Sequence, residues 1–411
     1  MQIMNLEQAK QKLSQYHQEH LLNYFEELTA KEQSQLLQQI QETDFSVVSH
    51  ITNTAEEHSR GAISPIDIMQ LNEIQQNKKN FTQAGIECIR AGKAGAVLLA
   101  GGMGTRLGSD APKGMYDIGI TKPVYIFQRI IENLFEVVDE AKTWIHLFIM
   151  TSEKNHEMTV SFFREKQYFG YDEKHIHFFK QDMAPASDYK GNIYLEEKGK
   201  IAASPNGNGG WYTSMANAGL SDFMKQEGIE WLNVFAVDNV LQKIADPCFI
   251  GATLAKNCEV GAKVVRKNHP DEKVGVICLE DGHPSIVEYY ELTDTLRNTM
   301  NKDGEPAYNF GVILNYLFKV SSLETIVSHE LPLHIVEKKI PYLDDSGKLC
   351  KPEEPNGYKF ETLILDFIKL LSSCLPFEVE REKEFAPIKN KTGIDSVESA
   401  QSLLSQNGVA L

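Results

Sequence analysis

The sequence predicts an α/β protein with a mainly parallel mixed sheet, preceded by a helical N-terminal region and followed by a short C-terminal portion. Two patterns support this class. From about residue 93 onwards, short apolar runs typical of buried strands alternate with helical patterns, which predicts a sheet covered by helices on both faces. Before that point, apolar residues recur at helical spacing between polar ones. Ligands of such sheets bind at the carboxyl ends of the strands.

The chain length sets the expected number of domains. Its 411 residues correspond to two or three domains of about 100–200 residues each. We predict a helical region at 1–92, an α/β core at 93–330, and a small C-terminal portion at 331–411 packed on the core.

Local signals place helices in the N-terminal region. Thr29 and Glu32 form a capping-box pattern, which predicts a helix from residue 30. Ser64 and Pro65 predict the start of a further helix with proline at its first position. The glutamine-rich stretches between these signals keep an apolar stripe, so the region is expected to be packed.

The same local signals predict the helices and strands of the core and of the C-terminal portion. Asp246-Pro247 predicts a capped helix. The other predicted helices are 123–138, 158–166, 214–227, 322–330 and 358–373. The predicted strands are 97–100, 144–150, 176–180 and 231–237, with an extended segment at 334–343.

Composition excludes several classes of protein. The formal net charge of −16 argues against general nucleic-acid binding, which needs a basic face. The sequence contains no run of eighteen apolar residues, so no membrane span is predicted, and the first residues lack a secretory signal pattern. The six cysteines are far apart, which indicates buried thiols in a reducing compartment and no zinc site. We therefore expect a cytoplasmic protein.

A glycine-rich stretch follows the predicted strand Val97–Ala100. Glycines let the backbone approach a phosphate and turn several N–H groups towards it, and nearby cations neutralise its charge. The stretch contains Gly101, Gly102, Gly104, Thr105, Arg106, Gly108 and Lys113. It lacks the Gly-Lys-Ser/Thr of a P-loop, and Leu107 occupies the third glycine position of a dinucleotide fingerprint. An ordinary βα turn is the alternative to a nucleotide-phosphate loop.

The spacing Leu99-x-x-Gly102-x-x-Thr105-x-x-Gly108-x-x-x-Pro112-Lys113 resembles the signature of the UTP-dependent sugar-1-phosphate uridylyltransferases, or UDP-sugar pyrophosphorylases. The resemblance covers about residues 95–390 and is greatest to the UDP-N-acetylhexosamine branch. Further similar blocks are 178–181, 204–210, 236–239, 245–247, 261–265, 274–276, 287–289, 355–357 and 384–390. The resemblance implies a Rossmann-like nucleotidyltransferase core of the glycosyltransferase-A-like kind.

The resemblance also implies the roles of individual residues. Nucleotide-binding positions are Leu99, Ala100, Gly101, Gly102, Gly104, Thr105, Gln181, Asn208 and Gly209. Of these, the resemblance assigns Gln181, Asn208 and Gly209 to uracil, and the amide side chains of the first two can donate and accept hydrogen bonds at once. Asp238 would bind Mg2+, whose other ligands are phosphates and waters. Arg106, Lys113 and Lys389 would neutralise the phosphates. Taken alone, Asn206–Gly210 also suits a surface loop, Asp238 a helix cap and Lys389 a solvated surface.

The sugar side departs from the family pattern. The implied sugar-binding positions are Gly275, Glu288, Tyr289, Asn309 and Val312. The family block N-x-G-N-I stands here as 309–313 with Val312 in place of the second asparagine, and valine cannot make that hydrogen bond. Leu363 and Leu365 replace aromatic residues of the acetylhexosamine pocket. The identity of the sugar is therefore open.

The implied reaction forms a UDP-sugar and pyrophosphate from UTP and a sugar 1-phosphate, most simply N-acetylglucosamine 1-phosphate. Glucose or galactose 1-phosphate, or a UDP-sugar-binding protein without turnover, are the alternatives. Val237-Asp238-Asn239 lacks the second acid of a D-x-D motif, which disfavours a glycosyltransferase. Eukaryotic relatives continue into a C-terminal domain involved in self-association, whereas this sequence ends soon after Lys389, so we expect a monomer. No nucleic-acid or membrane partner is expected.

Overall fold

The protein's structure, a computed structural model, describes residues 3–53, 60–302, 304–327, 331–344 and 346–411. Contacts divide the chain into two interleaved units. The first unit consists of Met1–Ser59, Asp182–Gly210 and Leu331–Ile364, and the second of Arg60–Gln181, Trp211–Glu330 and Leu365–Leu411. The division into 1–92, 93–330 and 331–411 stays a prediction.

Among the described residues of the second unit, ten strands form one mixed sheet. Its parallel part runs in the spatial order Trp231–Ala236, Ala94–Leu99, Leu147–Thr151 and Ile176–Lys180. Phe310–Lys319 pairs antiparallel with Trp231–Ala236 and begins the mixed part of the sheet. The other strands are Ile63–Ser64, Val260–Arg266, Val276–Glu280, His283–Val287 and Cys374–Glu378. The predicted α/β class with a mainly parallel mixed sheet is confirmed.

Helices enclose this sheet. All six residues of Ala94–Leu99 are buried, as expected of a strand covered on both faces. Leu71–Arg90 and Pro247–Ala255 approach so closely that a Cβ on Gly85 would lie 1.9 Å from the carbonyl oxygen of Pro247. The other helices of the unit are Ile126–Ala141, His156–Glu165, Trp211–Asn217, Leu220–Glu227, Asp294–Asn298, Val320–Ile326, Arg381–Glu384 and Val397–Gln406.

The first unit has its own core. Its helices Leu6–Gln15 and Ala30–Glu42 bury Leu13, Leu36 and Ile40, so the glutamine-rich region is packed as predicted. The capping box of Thr29 and Glu32 is present. The strands of this unit are Met183–Asp188, Leu195–Glu197, Lys200–Ile201, Ala203–Pro205, His334–Lys338, Tyr342–Leu343, Leu349–Cys350 and Gly357–Glu361. The short helix Ile364–Lys369 begins at the end of the unit.

Two predicted helices are wrong. Ile63–Ser64 forms an edge strand against Leu279 and Glu280, so no helix starts at Pro65. The helix begins instead at Leu71, whose N–H donates to the Glu378 carboxylate, a distant partner that replaces a local cap.

The predicted helix at 358–373 is helical only over Ile364–Lys369, and its first residues belong to a strand. Gly357–Glu361 pairs with His334–Lys338, and Cys374–Glu378 pairs with Val260–Arg266, which leaves only a short helix between them. Pairing with strands distant in sequence overrides the local amphipathic pattern.

Smaller differences concern helix ends and thiols. The predicted helix 214–227 is interrupted at Gly219, where φ is +78°. The predicted helix 322–330 ends at Ile326, and residues 328–330 lie outside the described part. Three of the six cysteine thiols are only half-buried. No helix among the described residues has both the length and the apolar character needed to cross a bilayer.

Candidate active site

The predicted phosphate loop and Asp238 meet at one edge of the sheet. Ala94–Leu99 and Trp231–Ala236 are parallel neighbours with Leu99 opposite Ala236, so the residues that follow each strand lie side by side. The N–H of Val237 donates to the carbonyl oxygen of Leu99 at 3.2 Å. This is the carboxyl edge at which sheets of this kind bind ligands.

The glycine loop exposes backbone donors. No hydrogen bond of the described residues uses the N–H groups of Gly101, Gly102 or Met103. A Cβ on Gly102 would meet no protein atom within 4 Å, so the space in front of it is open. Thr105 and Arg106 follow on an exposed turn of 3-10 helix. Consecutive unpaired N–H groups beside open space suit an anion such as a phosphate.

A buried asparagine that the sequence analysis missed holds this loop. The Asn155 amide nitrogen donates to the carbonyl oxygens of Ala100 at 2.9 Å and Gly102 at 3.3 Å. Its side-chain oxygen accepts from the N–H of Ser152. Asn155 precedes the helix His156–Glu165 as a capping residue would, yet its side chain makes no cap bond. From the sequence, Asn155 has only the character of a helix-capping residue. Its hydrogen bonds to the glycine loop arise only in the tertiary structure.

Gln181 lies against the loop. It follows the strand Ile176–Lys180, and its N–H donates to the carbonyl oxygen of Thr151. A Cβ on Gly101 would lie 2.4 Å from the Gln181 side-chain nitrogen, so glycine is required there for the amide to pack on the loop. The structure therefore brings together the predicted loop and this predicted base-binding residue.

Lys113 joins the loop to Asp238. Its backbone N–H donates to the carbonyl oxygen of Gly102, and its ammonium lies 3.8 Å from the Asp238 carboxylate. Burial lowers the pKa of Lys113, the cations of Arg106 and Lys389 lower it further, and Asp238 opposes them. Three cations and one carboxylate thus converge at the carboxyl edge of the sheet.

Lys389 reaches this group from the C-terminal segment. The N–H of Ile388 donates to the carbonyl oxygen of Asp238, which fixes the segment beside the metal-binding candidate. The Lys389 ammonium lies 3.0 Å from the carboxylate of Asp395, a partner that the sequence analysis missed. Asp395 has a φ of +51°, so its backbone is in the left-handed region where the chain turns back towards Lys389.

Three of the sugar-side residues also cluster in the second unit. The N–H of Val312 donates to the carbonyl oxygen of Gly275 at 2.9 Å, and the Glu288 carboxylate lies 3.5 Å from the position of a Cβ on Gly275. Because Asn315 pairs with Phe235 in an antiparallel strand, Val312 extends towards the edge that carries Asp238.

Tyr289 and Asn309 are placed by other contacts. The Tyr289 ring makes an edge contact with Tyr290, and its carbonyl oxygen accepts from Arg297. The Asn309 carbonyl oxygen accepts from the N–H of Lys267.

Asn208 and Gly209 belong to the first unit, on a turn that lies against residues 362–364. The Asn208 side-chain oxygen accepts from the N–H of Ile364 at 3.0 Å, and the N–H of Gly209 donates to Thr362 at 2.8 Å. A Cβ on Gly209 would lie 2.6 Å from the backbone nitrogen of Leu363. The turn is therefore tightly packed, and the Asn208 amide NH2 is the group suited to a ligand acceptor.

The donor set at Asp238 suits magnesium. Mg2+ is held by one or two carboxylates together with waters and phosphates, and the partly exposed Asp238 carboxylate beside the glycine loop could be one such ligand. No group of three metal-ligating histidine, cysteine or acidic side chains occurs in the described ranges. A metal that needs an all-protein ligand cage does not fit here.

Known proteins are similar to this chain over most of its length. The family model described as UTP–glucose-1-phosphate uridylyltransferase matches residues 28–409. A UDP-N-acetylhexosamine pyrophosphorylase-like protein 1 from Mus musculus is 34% identical over 404 residues, covering 92% of this chain and 79% of the relative. A UDP-N-acetylglucosamine pyrophosphorylase from Saccharomyces cerevisiae is 36% identical over 398 residues, covering 93% and 82%.

A solved structure extends the similarity to the fold. The uridine diphosphate N-acetylglucosamine pyrophosphorylase from Trypanosoma brucei, in complex with an inhibitor, has a TM-score of 0.84 and 26% identity. The match covers 98% of this chain and 85% of that one. It therefore includes both the sheet edge and the segment that carries Lys389.

Proposed function

Because the chain belongs to the UTP–glucose-1-phosphate uridylyltransferase family, we propose that it makes UDP-N-acetylglucosamine and pyrophosphate from UTP and N-acetylglucosamine 1-phosphate. The predicted family, fold class and enzyme class are confirmed by the same matches. The observation that carries the proposal is the convergence of the glycine loop, Lys113, Asp238 and Lys389 at one sheet edge.

The reaction needs positioning more than acid–base catalysis. A phosphate oxygen of the sugar 1-phosphate is already anionic at neutral pH, since the second pKa of a phosphate monoester is about 6. It forms a bond to the α-phosphorus of UTP, and the bond from that phosphorus to the bridging oxygen breaks. Pyrophosphate carries away the electron pair, and no proton transfer is required. Catalysis then rests on alignment and charge neutralisation.

Each side of the site has a proposed task. The N–H groups of Gly101, Gly102 and Met103 would hold phosphate oxygens, and Gln181 would bind the uracil from the loop's other face. Lys113 and Lys389 would neutralise charge that develops on the phosphoryl group and the leaving pyrophosphate. Arg106, exposed on the loop, would meet the outer phosphates. Burial of Lys113 strengthens its effect, because a desolvated charge is less screened.

Asp238 would hold Mg2+ in this scheme. The ion supplies charge neutralisation and orientation of the phosphates when bound. The chain's own contribution is to keep the carboxylate beside Lys113 and Lys389, so that protein cations and the ion act on the same phosphates.

Sugar selection is proposed to depend on Gly275, Glu288, Tyr289, Asn309 and Val312. Val312 is half-buried at the strand end that extends towards the reacting centre, and its side chain offers no hydrogen bond. Leu363 and Leu365 likewise offer apolar surface without an aromatic ring. A sugar 1-phosphate without an N-acetyl group, which needs fewer hydrogen bonds from the pocket, is therefore the competing substrate to test.

Pyrophosphate release tests the proposal directly. The purified chain would be assayed with UTP and Mg2+ against glucose, galactose, N-acetylglucosamine and N-acetylgalactosamine 1-phosphates. The highest turnover with N-acetylglucosamine 1-phosphate supports the proposal. A preference for glucose or galactose 1-phosphate would instead identify that sugar 1-phosphate as the substrate. Tight UDP-sugar binding without turnover would instead identify a binding protein.

A single substitution tests the sugar side. Val312→Asn should raise the preference for the N-acetyl sugar about tenfold, because one added hydrogen bond to a buried partner contributes about 1.5 kcal/mol. An unchanged ratio of kcat/KM between the N-acetylated and the non-acetylated acceptors would show that Val312 does not line the sugar pocket. The expected monomer stays a prediction.

A further inference from the structure

Asn239 lies where the loop that carries Asp238 meets the 384–390 segment, and no role has been assigned to it above. It is 2% exposed and directly follows Asp238. Its amide nitrogen donates to the carbonyl oxygen of Glu384 at 2.7 Å. Its side-chain oxygen accepts from the N–H groups of Ala386 at 2.9 Å and Leu241 at 3.3 Å. One side chain thus binds the segment that leads to Lys389 and the loop that carries Asp238.

The backbone repeats this connection on both sides of Asn239. The N–H of Ile388 donates to Asp238, and that of Val240 donates to Ala386. The segment is anchored again at Glu384, whose carboxylate lies 2.6 Å from the wholly buried Lys263 ammonium. Only Pro387 and Ile388 lie between Asn239's partner Ala386 and Lys389, which leaves little freedom for the lysine.

We propose that Asn239 is a positioning residue that fixes Lys389 relative to Asp238, so that the two groups act on the same phosphates. The inference rests on the proposed function for its kinetic consequence. Asn239 would not touch substrate; it sets the distance between a cation and a carboxylate that are 151 residues apart in sequence. Charge stabilisation in a transition state depends on such preorganisation, since groups already in place need no rearrangement.

The molecule offers a matched control. Asn233 is 1% exposed and also makes three hydrogen bonds, donating to Asn315 and to the carbonyl oxygen of Tyr316 and accepting from the N–H of Ala245. None of these three partners belongs to the 384–390 segment. Removal of either asparagine side chain breaks three buried hydrogen bonds, but only one removal releases the segment.

The experiment compares Asn239→Ala with Asn233→Ala. The melting temperature of each variant is measured as well, to show that the two substitutions destabilise the fold to a similar extent. Asn239→Ala should lower kcat for pyrophosphate release at least tenfold with less than threefold change in KM for UTP. Asn233→Ala should keep kcat within threefold. In the double variant with Lys389→Met, Asn239→Ala should add less than a twofold further loss, because its effect passes through the lysine.

Hydrogen exchange supplies a readout that needs no turnover. The Ala386 amide should exchange at least tenfold faster in Asn239→Ala and unchanged in Asn233→Ala. Should Asn239→Ala not fold, Asn239→Ser removes the amide donor to Glu384 without adding a charge, and its hydroxyl oxygen can still accept from the N–H of Leu241, so a smaller loss of kcat is expected.

Equal kcat values for the two alanine variants, or fully additive effects with Lys389→Met, would overturn the inference. A wild-type chain that releases no pyrophosphate with any acceptor would instead overturn the proposed function. In that case unchanged Ala386 exchange in Asn239→Ala would also overturn the inference that Asn239 holds the 384–390 segment, and accelerated exchange would support it.

Discussion

The glycine loop and the junction of Asp238 with Lys389 serve the same sheet edge but are built differently. The loop takes its donors, open space and Lys113 from one stretch of chain, with Asn155 as its outside support. The junction combines two segments 151 residues apart, and buried side chains such as Asn239 hold them together. A site can therefore contain one half that is encoded locally and another that exists only after folding.

Asp238→Ala tests the junction and should have the largest effect. Loss of the Asp238 carboxylate removes the proposed ligand of the metal ion and leaves Lys113 without its ion-pair partner. We expect kcat to fall by about 10³-fold, the scale of losing a principal electrostatic group. Pyrophosphate release across a range of Mg2+ concentrations measures this. Near-normal rates at ordinary Mg2+ would exclude the metal assignment, provided that thermal unfolding shows a folded variant.

Gly102→Ala tests the loop and should come next. The added methyl group meets no protein atom within 4 Å, so the stability should change by less than about 0.5 kcal/mol. It enters the space proposed for a phosphate, and a misplacement of about 1 Å costs about 10²-fold in rate. Steady-state kinetics for UTP would show this as lower kcat/KM. A fully active variant would mean that the open space is not where the nucleotide binds.

Asn155→Ala tests the support of the loop. Its removal leaves the Ala100 carbonyl oxygen and the Ser152 N–H without partners, which costs about 1–3 kcal/mol of unfolding free energy. The loop should also bind UTP about tenfold more weakly, as its backbone loses its fixed orientation. Urea unfolding and UTP titration check both effects.

Thr159→Val is the control for Asn155→Ala. The Thr159 side chain is equally buried on the same helix, but its hydroxyl has no hydrogen-bond partner in the described structure. It should leave UTP affinity unchanged. Similar weakening by both variants would indicate general loosening of the helix.

His177 lies at the opposite end of the strand that leads to Gln181 and should affect activity least. Burial, together with His146 and His175, lowers the pKa of His177 to about 4, and the two ring nitrogens of His146 and His177 are 3.0 Å apart. The unfolded chain takes up this proton near pH 6.5 and the folded one does not, so stability falls as pH decreases from about 6.5 to 4.

We expect about 1 kcal/mol lost between pH 7 and pH 5, allowing for partial exposure of the ring. His177→Phe should flatten this dependence while changing kcat at pH 7 by less than twofold. Urea unfolding at several pH values measures it. An unchanged slope would assign the acid sensitivity to other groups.

The sequence by itself determined the class of fold, the glycine loop and the family. The loop was predictable because its chemistry is contained in eighteen neighbouring residues, from Ala96 to Lys113. The buried strand Ala94–Leu99 was predictable because a short apolar run has few other stable environments. The capping box at Thr29 was predictable because its partners are three residues apart.

Tertiary structure alone decided the supports of the site and two of the local elements. Gly357–Glu361 became a strand, and Leu71 began a helix, because distant partners supplied their hydrogen bonds. Asn155 and Asn239 carry no sequence signal for their contacts. A buried backbone group must be paired wherever a partner exists, and chain folding, not sequence proximity, decides which partner that is.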